Sequence, residues 1–202
     1  LSGGLAMEAL NNAGDFKGNL IILVNDNQMS IAENHGGLYR NLAELRATNG
    51  QAENNFFKTF GLDYKYLENG NDIESLIHLF EEVKDIDHPI VLHIHTEKGR
   101  GYQPALENKE AFHWHMPFDL ETGQSKVIDS GKSYSSVMLD YMDKKVSEGL
   151  PLVAINAAIP GIFGLKQFAA KYPDRYIDAG IAEQFTITFG GAMACLLYTS
   201  DA

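Results

Sequence analysis

The sequence predicts an α/β protein with a doubly wound, mostly parallel sheet, followed by the start of a second, similar α/β domain. Three observations predict it. Leu20-Ile21-Ile22-Leu23-Val24 is a short apolar run with three β-branched residues, expected as a strand buried on both faces, and 89–95 reads the same way. Helical periods lie between and around these runs, and strands alternating with helices favour a parallel sheet. The alternation then restarts after residue 132, beyond a stretch with no strong period.

The elements follow in order. Leu5, Ala6, Ala9, Leu10 and Ala13 keep helical spacing, so a helix is expected to start behind Gly3-Gly4 and to stop at Gly14. The glycine pair fits either a helix start whose backbone N–H groups face a phosphate or close helix–sheet packing. Residues 32–52 are polar and glycine-containing and read as a surface excursion with one short helical stretch. Leu62 to Leu67 is expected as a short strand. Residues 72–83 form a clear helix, with Asp72 as its N-cap and Ser75 at the capping-box position. Residues 103–131 hold Pro104, Pro117, Gly123 and Gly131 and read as irregular. Ser133 to Val146 is expected as a helix, Leu152 to Ile155 as a strand, Leu165 to Ala170 as a short helix and Tyr176-Ile177 as a short strand. A last helix begins near Ala182.

Composition narrows the function classes. With 202 residues and 45% hydrophobic content, the chain can build one or two cores. A net charge of −11 argues against nucleic-acid binding, which needs basic patches. It still allows a diphosphate ligand, because a divalent cation offsets local charge. No apolar run is long enough to span a bilayer, so no membrane partner is expected. No signal-peptide pattern opens the chain, and its single cysteine fits a reducing, cytoplasmic setting.

Asn25-Asp26-Asn27-Gln28-Met29-Ser30-Ile31 follows the first apolar run directly. The carboxyl end of such a strand is where open α/β sheets place ligands, and Asn and Asp oxygens suit a hard cation such as magnesium. Asn and Asp also dominate ordinary turns, and the segment alone does not decide between the two. Lys98-Gly99-Arg100-Gly101-Tyr102 reads on its own as a glycine turn with solvated charges. His93, His95, His113 and His115 raise the question of zinc, but no spacing matches a closed site. Glu183 opens the last helix, where a carboxylate also favours the dipole.

Taken together these segments resemble 1-deoxy-D-xylulose-5-phosphate synthases, a branch of the transketolase-like, thiamine-diphosphate enzymes. The resemblance runs through 2–11, 24–31, 98–102, Phe112-His113, 172–176 and 178–184, in the family's order. It implies a thiamine-diphosphate-binding fold. It also implies a reaction in which pyruvate and glyceraldehyde 3-phosphate condense to 1-deoxy-D-xylulose 5-phosphate with loss of CO2, in a homodimer. By resemblance, Asn27 and the backbone carbonyl of Met29 hold Mg2+, together with an Asp of a Gly-Asp-Gly motif expected upstream of Leu1. Tyr102 borders the thiamine diphosphate, and His113 lies near the substrate. Glu183 hydrogen-bonds the aminopyrimidine ring, a proton exchange that a buried carboxyl with a raised pKa would suit.

The resemblance also sets expected boundaries. Residues 1–115 would be the end of the diphosphate-binding domain, 116–131 a linker, and 132–194 the start of a truncated pyrimidine-binding domain. Residues 195–202 look like a translated sequencing adapter and are expected to be non-native. The chain is thus expected to be an internal fragment, inactive by itself, with Asn27 and Glu183 reaching the cofactor across a domain interface. Two departures bear on substrate. Phe185 stands where the family usually has His, and the segment between Leu38 and Phe60 is shortened. They keep open a transketolase-like enzyme with another donor or acceptor. A non-catalytic binding remnant is the reading from a different class.

Overall fold

The computed structural model describes residues 1–127, 131–161 and 163–199, and for 197–199 the backbone alone. The chain divides into two compact units, one of Leu1–Met29 with Glu33–His113, the other of Ser30–Ala32 with Trp114–Ala202.

The first unit runs α1 (Gly4–Ala13), β1 (Leu20–Asp26), α2 (Gly37–Ala47), β2 (Asp63–Leu67), α3 (Ile73–Val83), β3 (Pro89–His95) and α4 (Gln103–Glu107). Its three strands are parallel in the order β1-β3-β2. Alternation along the strands sends side chains to two faces. On one face Leu20, Ile22, Val24, Val91 and Tyr64 pack with Leu10 and Ala13 of α1, Leu42 and Leu45 of α2, and Phe57. On the other, Ile21, Ile90, Leu92, Ile94 and Leu67 pack with Leu79 and Val83 of α3. Helices therefore cover both faces, as a doubly wound sheet requires.

Two expectations change here. β3, the central strand, is buried through six of its seven residues, but β1 is not. It is an edge strand of this sheet, Ile21 is its residue in the cluster that α3 shares with β3, and Leu23 is 48% exposed. The stretch 32–52 is more than a surface excursion, because α2 places Leu42 and Leu45 fully inside the core.

Local chemistry sets the boundaries. The Asp72 side chain accepts the Ser75 backbone N–H at 2.9 Å, capping α3 as expected. Gly14 does not take the left-handed cap conformation; its φ is −61°. Its role is steric, since a Cβ there would lie 2.2 Å from the Phe60 carbonyl oxygen. A Cβ on Gly3 or Gly4 would touch nothing, so close packing does not account for that pair. α4 is a helix within the stretch read as irregular, started by Pro104 in its first turn.

The second unit contains α5 (Tyr134–Ser147), β4 (Ala154–Asn156), α6 (Leu165–Lys171), β5 (Tyr176–Asp178) and α7 (Glu183–Thr199). Ser133 and Ser136 form a reciprocal capping box at the start of α5. β4 and β5 are parallel, and their small core joins Ala154, Leu165 and Phe168 with Leu139 and Met142. The expected linker 116–131 and tail 195–202 fall partly outside the described residues, at 128–130 and 200–202. Among the described residues no helix is long and apolar enough to cross a membrane.

In the 202-residue chain, Leu45→Ala should cost about 2–5 kcal/mol, the range for a large-to-small change in a packed core. Leu23→Ala should stay within about 0.5 kcal/mol. Urea unfolding of the two variants side by side checks the contrast.

Candidate functional site

β1 ends on Asp26, and the chain turns sharply at once. The Asn27 side-chain oxygen accepts the Met29 backbone N–H at 3.0 Å, closing an Asx turn. Gln28, between them, adopts φ 66°, a left-handed conformation that costs a non-glycine residue about 1–3 kcal/mol. Met29 then pairs with Glu33 in a single antiparallel bridge. Asn34 N–H closes that bridge on the Gln28 carbonyl at 3.1 Å, so the Met29 carbonyl stays outside the ladder.

A buried polar network holds this turn. Asp26 is 5% exposed and His93 fully buried. Asp26 Oδ1 accepts the Gln28 backbone N–H at 3.0 Å. Asp26 Oδ2 accepts His93 Nε2–H at 3.0 Å and also pairs with the Arg46 guanidinium from α2. A carboxylate only accepts, so His93 carries its proton on Nε2, and Tyr64 donates its hydroxyl to Nδ1 at 2.7 Å. Burial alone would raise the Asp26 pKa, but the bonds from His93 and Gln28 and the charge of Arg46 outweigh it and hold the carboxyl at about 2. Burial, reinforced by the Asp26 charge, pushes the Tyr64 hydroxyl well above its ordinary range.

A second relay reaches the same turn from the side. Gln28 Nε2 meets His95 Nε2 at 3.2 Å, and His95 Nδ1 meets Glu68 Oε1 at 3.0 Å. Tyr66 donates its hydroxyl to Glu68 Oε2. Hydrogen bonds from Tyr66 and then His95 lower the Glu68 pKa. His93 and His95 thus belong to two hydrogen-bonded relays, and among the described residues no group of three or more His, Cys, Asp or Glu could hold a metal ion.

Two cavities flank Asn27 and Gln28. One, of about 440 Å³, is lined by Asn27, Met29, Glu33, Arg40, Arg46 and Lys109. The other, of about 390 Å³, is lined by Gln28, Glu68, Asp72, His95, Glu97 and Arg100. Asn27 Oδ1 has one lone pair committed to Met29 N–H and one available. With the Met29 carbonyl it offers two neutral oxygen donors, which suit a hard cation as part of an octahedral shell.

The remaining sequence-derived candidates are placed as follows. Lys98 to Tyr102 is a tight glycine turn: Gly99 has φ 86°, and a Cβ there would lie 2.8 Å from the Ala105 backbone. Tyr102 caps α4 and meets Phe112 edge to face, with ring centroids 5.5 Å apart. His113 lies in a 3-10 turn, where Lys98 Nζ approaches its Nδ1 at 3.2 Å. Burial lowers the Lys98 pKa, with Glu110 opposing. Asn27, Met29, Tyr102 and His113 share the first unit, while Glu183 opens α7 in the second. Glu183 is exposed there, on the first turn of α7. Arg46, Tyr64 and His93 were not singled out as site residues from the sequence. Their one signal was Tyr64/Tyr66 and His93/His95, each at the two-residue spacing that places a pair on one strand face.

This geometry, an oxygen-donor turn at the carboxyl end of a parallel strand, defines an α/β protein with polar groups where open sheets of this class place ligands. A family model described as 1-deoxy-D-xylulose-5-phosphate synthase matches residues 1–54 and 46–96. The chain is 35% identical to the 1-deoxy-D-xylulose-5-phosphate synthase of Syntrophotalea carbinolica, over 96% of this chain and 37% of that protein. It is 38% identical to that of Listeria monocytogenes, over 96% of this chain and 33% of the relative. Against 1-deoxy-D-xylulose-5-phosphate synthase 1 of Geobacter sulfurreducens the identity is 35%, over 96% and 36%. The chain is thus similar to 1-deoxy-D-xylulose-5-phosphate synthases over nearly its whole length. It spans a little over a third of the length of the curated relatives it matches.

Asp26 gives the first unit an acid-sensitive stability. Its folded pKa, about 2, lies below the ordinary 3.8, so its contribution is complete above about pH 4 and lost as pH falls through 2. Asp26→Asn should cost about 3–5 kcal/mol at neutral pH, because it strips a buried pair of its anion. The variant should also lose less stability than the parent between pH 5 and pH 2, as measured by urea unfolding across that range.

Proposed function

We propose that the protein carrying this chain is a thiamine-diphosphate-dependent 1-deoxy-D-xylulose-5-phosphate synthase, joining pyruvate to glyceraldehyde 3-phosphate with loss of CO2. The observation that carries the proposal is similarity to synthases over 96% of the chain, around a strand-end turn with the right donor atoms. The product would feed isoprenoid, thiamine and pyridoxal biosynthesis. In this reading the enzyme is a cytoplasmic homodimer.

Thiamine diphosphate, when bound, supplies the electron sink that decarboxylation of pyruvate requires. The residues of this chain bind and orient. Asn27 Oδ1 and the Met29 carbonyl would give two of the oxygen ligands of Mg2+, and Arg40 and Lys109 bring positive charge to the neighbouring cavity. Glu183 would hold a proton at the aminopyrimidine ring nitrogen. Tyr102, fixed against Phe112, borders the cofactor. His113 orients a polar group of the substrate or moves a proton to it, with Lys98 at Nδ1 leaving Nε2 as the working nitrogen.

Phe185 supports a second reading, a transketolase-like enzyme with another donor or acceptor. It stacks on Phe189 with ring centroids 5.4 Å apart, and an aromatic pair there provides no proton carrier.

The complete protein, incubated with thiamine diphosphate, Mg2+, pyruvate and glyceraldehyde 3-phosphate, should form 1-deoxy-D-xylulose 5-phosphate only when every component is present. Glu183→Ala should lower kcat by about 100-fold or more, the scale of a lost proton-transfer group. Asn27→Ala should raise the Mg2+ concentration needed for half-activity. Pyruvate decarboxylation without the sugar product would select the second reading, and no cofactor dependence would overturn both.

A further inference from the structure

The turn that presents Asn27 and Met29 contains a residue in an unfavourable conformation. Gln28 has a β-carbon and still takes φ 66°. Its own peptide N–H is what Asp26 Oδ1 accepts, so the carboxylate directly rewards the left-handed turn. That carboxylate is fixed in turn. Its other oxygen receives His93 Nε2–H and Arg46, and His93 is locked in rotation by Tyr64 at Nδ1. Phe57, Tyr64 and Tyr66 crowd the His93 ring, with centroids 6.4, 6.0 and 5.1 Å away. Asp26 and His93 are buried and Tyr64 is half-buried, so the contacts behind Gln28 are shielded from water.

We propose that Asp26, His93 and Tyr64 together are a positioning device for the cation site. They hold residue 28 left-handed, so that the Asn27 side-chain oxygen and the Met29 carbonyl are presented together. The inference rests on the magnesium reading of Asn27 and Met29 above. The three act behind the turn: Asp26 and His93 are buried with their polar atoms hydrogen-bonded inside the network, and the Tyr64 hydroxyl is directed at His93. Their effect passes through the backbone of residue 28.

A merely structural role for the network and a positioning role separate experimentally. If the network only stabilises the sheet, removing it lowers thermal stability and leaves the cation affinity of the folded protein unchanged. If it positions the turn, the affinity falls. A glycine at residue 28, which adopts positive φ without strain, should then make the network dispensable.

The test is Mg2+ binding by the complete protein at saturating thiamine diphosphate, followed by titration calorimetry with the folded fraction checked by circular dichroism. Asp26→Asn should weaken Mg2+ binding by about 10-fold or more, the scale of outer-shell partners of metal ligands. Tyr64→Phe, the milder variant that keeps the core filled, should weaken it by a smaller factor. Adding Gln28→Gly to either should restore most of the loss, with no matching recovery of melting temperature. Unchanged affinity in folded Asp26→Asn and Tyr64→Phe, in a parent that binds Mg2+, would overturn the positioning role alone. Failure of the glycine rescue would also overturn it, assigning the loss to general disruption. A parent that binds no Mg2+ would overturn the magnesium reading and this inference with it.

Discussion

The first unit depends on one buried carboxylate. Asp26 terminates β1, yet it is the point at which three other elements are tied to that strand: β3 through His93, β2 through Tyr64 and His93, and α2 through Arg46. Removing such a charge from water costs several kcal/mol unless hydrogen bonds and an opposite charge replace the lost hydration. Here both do, with two N–H donors besides the guanidinium. The consequence is directional. An apolar contact at the strand end would have stabilised packing without fixing an angle. A carboxylate with assigned donors on both oxygens fixes the plane of its own side chain, and with it the path of the next two residues.

The second unit solves the same problem in the same way. Asp178 ends β5 and accepts the backbone N–H groups of Ala158 at 3.1 Å and Gly180 at 2.8 Å, while Asn156 and Tyr176 donate to its other oxygen. Ala158 and Gly180 both have positive φ, 61° and 71°. Burial, with the Asp178 charge and its hydrogen bond adding to it, raises the Tyr176 hydroxyl to about 12. In each unit an aspartate at the carboxyl end of a parallel strand gathers N–H groups from a left-handed turn. The candidate cofactor residues follow shortly after, Asn27 by one position and Glu183 by five. A parallel strand must leave its sheet abruptly to begin the crossover, and a fixed anion at the exit makes a sharp turn affordable for residues other than glycine.

What was legible in the sequence was what local patterns encode. The apolar run of β3, the Asp72 cap of α3, the serine start of α5 and the oxygen-rich end of β1 all depend on neighbours within a few positions. Errors arose where distant contacts decide. β1 looks fully buried from its composition, but burial follows from which strand is central, and that place went to β3. α2 is polar on average and hides two fully buried leucines, Leu42 and Leu45, three positions apart. The Tyr64–His93–Asp26–Arg46 network joins residues up to 67 positions apart, so only register brings them together. The resemblance pointed to Asn27 and Met29. It was silent about what holds them, because a supporting residue has no chemistry of its own to mark it.

The same local logic bears on how an acidic chain would serve the anionic cofactor of the proposed function. A net charge of −11 describes the average surface, and at physiological ionic strength charges beyond about 8 Å are largely screened. What an incoming diphosphate meets is the near wall. In the cavity beside Asn27 and Met29 three cations, Arg40, Arg46 and Lys109, face two carboxylates, Asp26 and Glu33. Asp26 is spent on Arg46 and is buried, so it projects little field outward. The cavity on the other side of Gln28 holds Glu68, Asp72 and Glu97 against Arg100 and Lys109, the reverse balance. The turn at Asn27 therefore separates a locally positive cavity from a locally negative one, and a divalent cation held by that turn would deepen the contrast. An anionic ligand at this strand end would be oriented by that asymmetry, independently of the total charge of the chain.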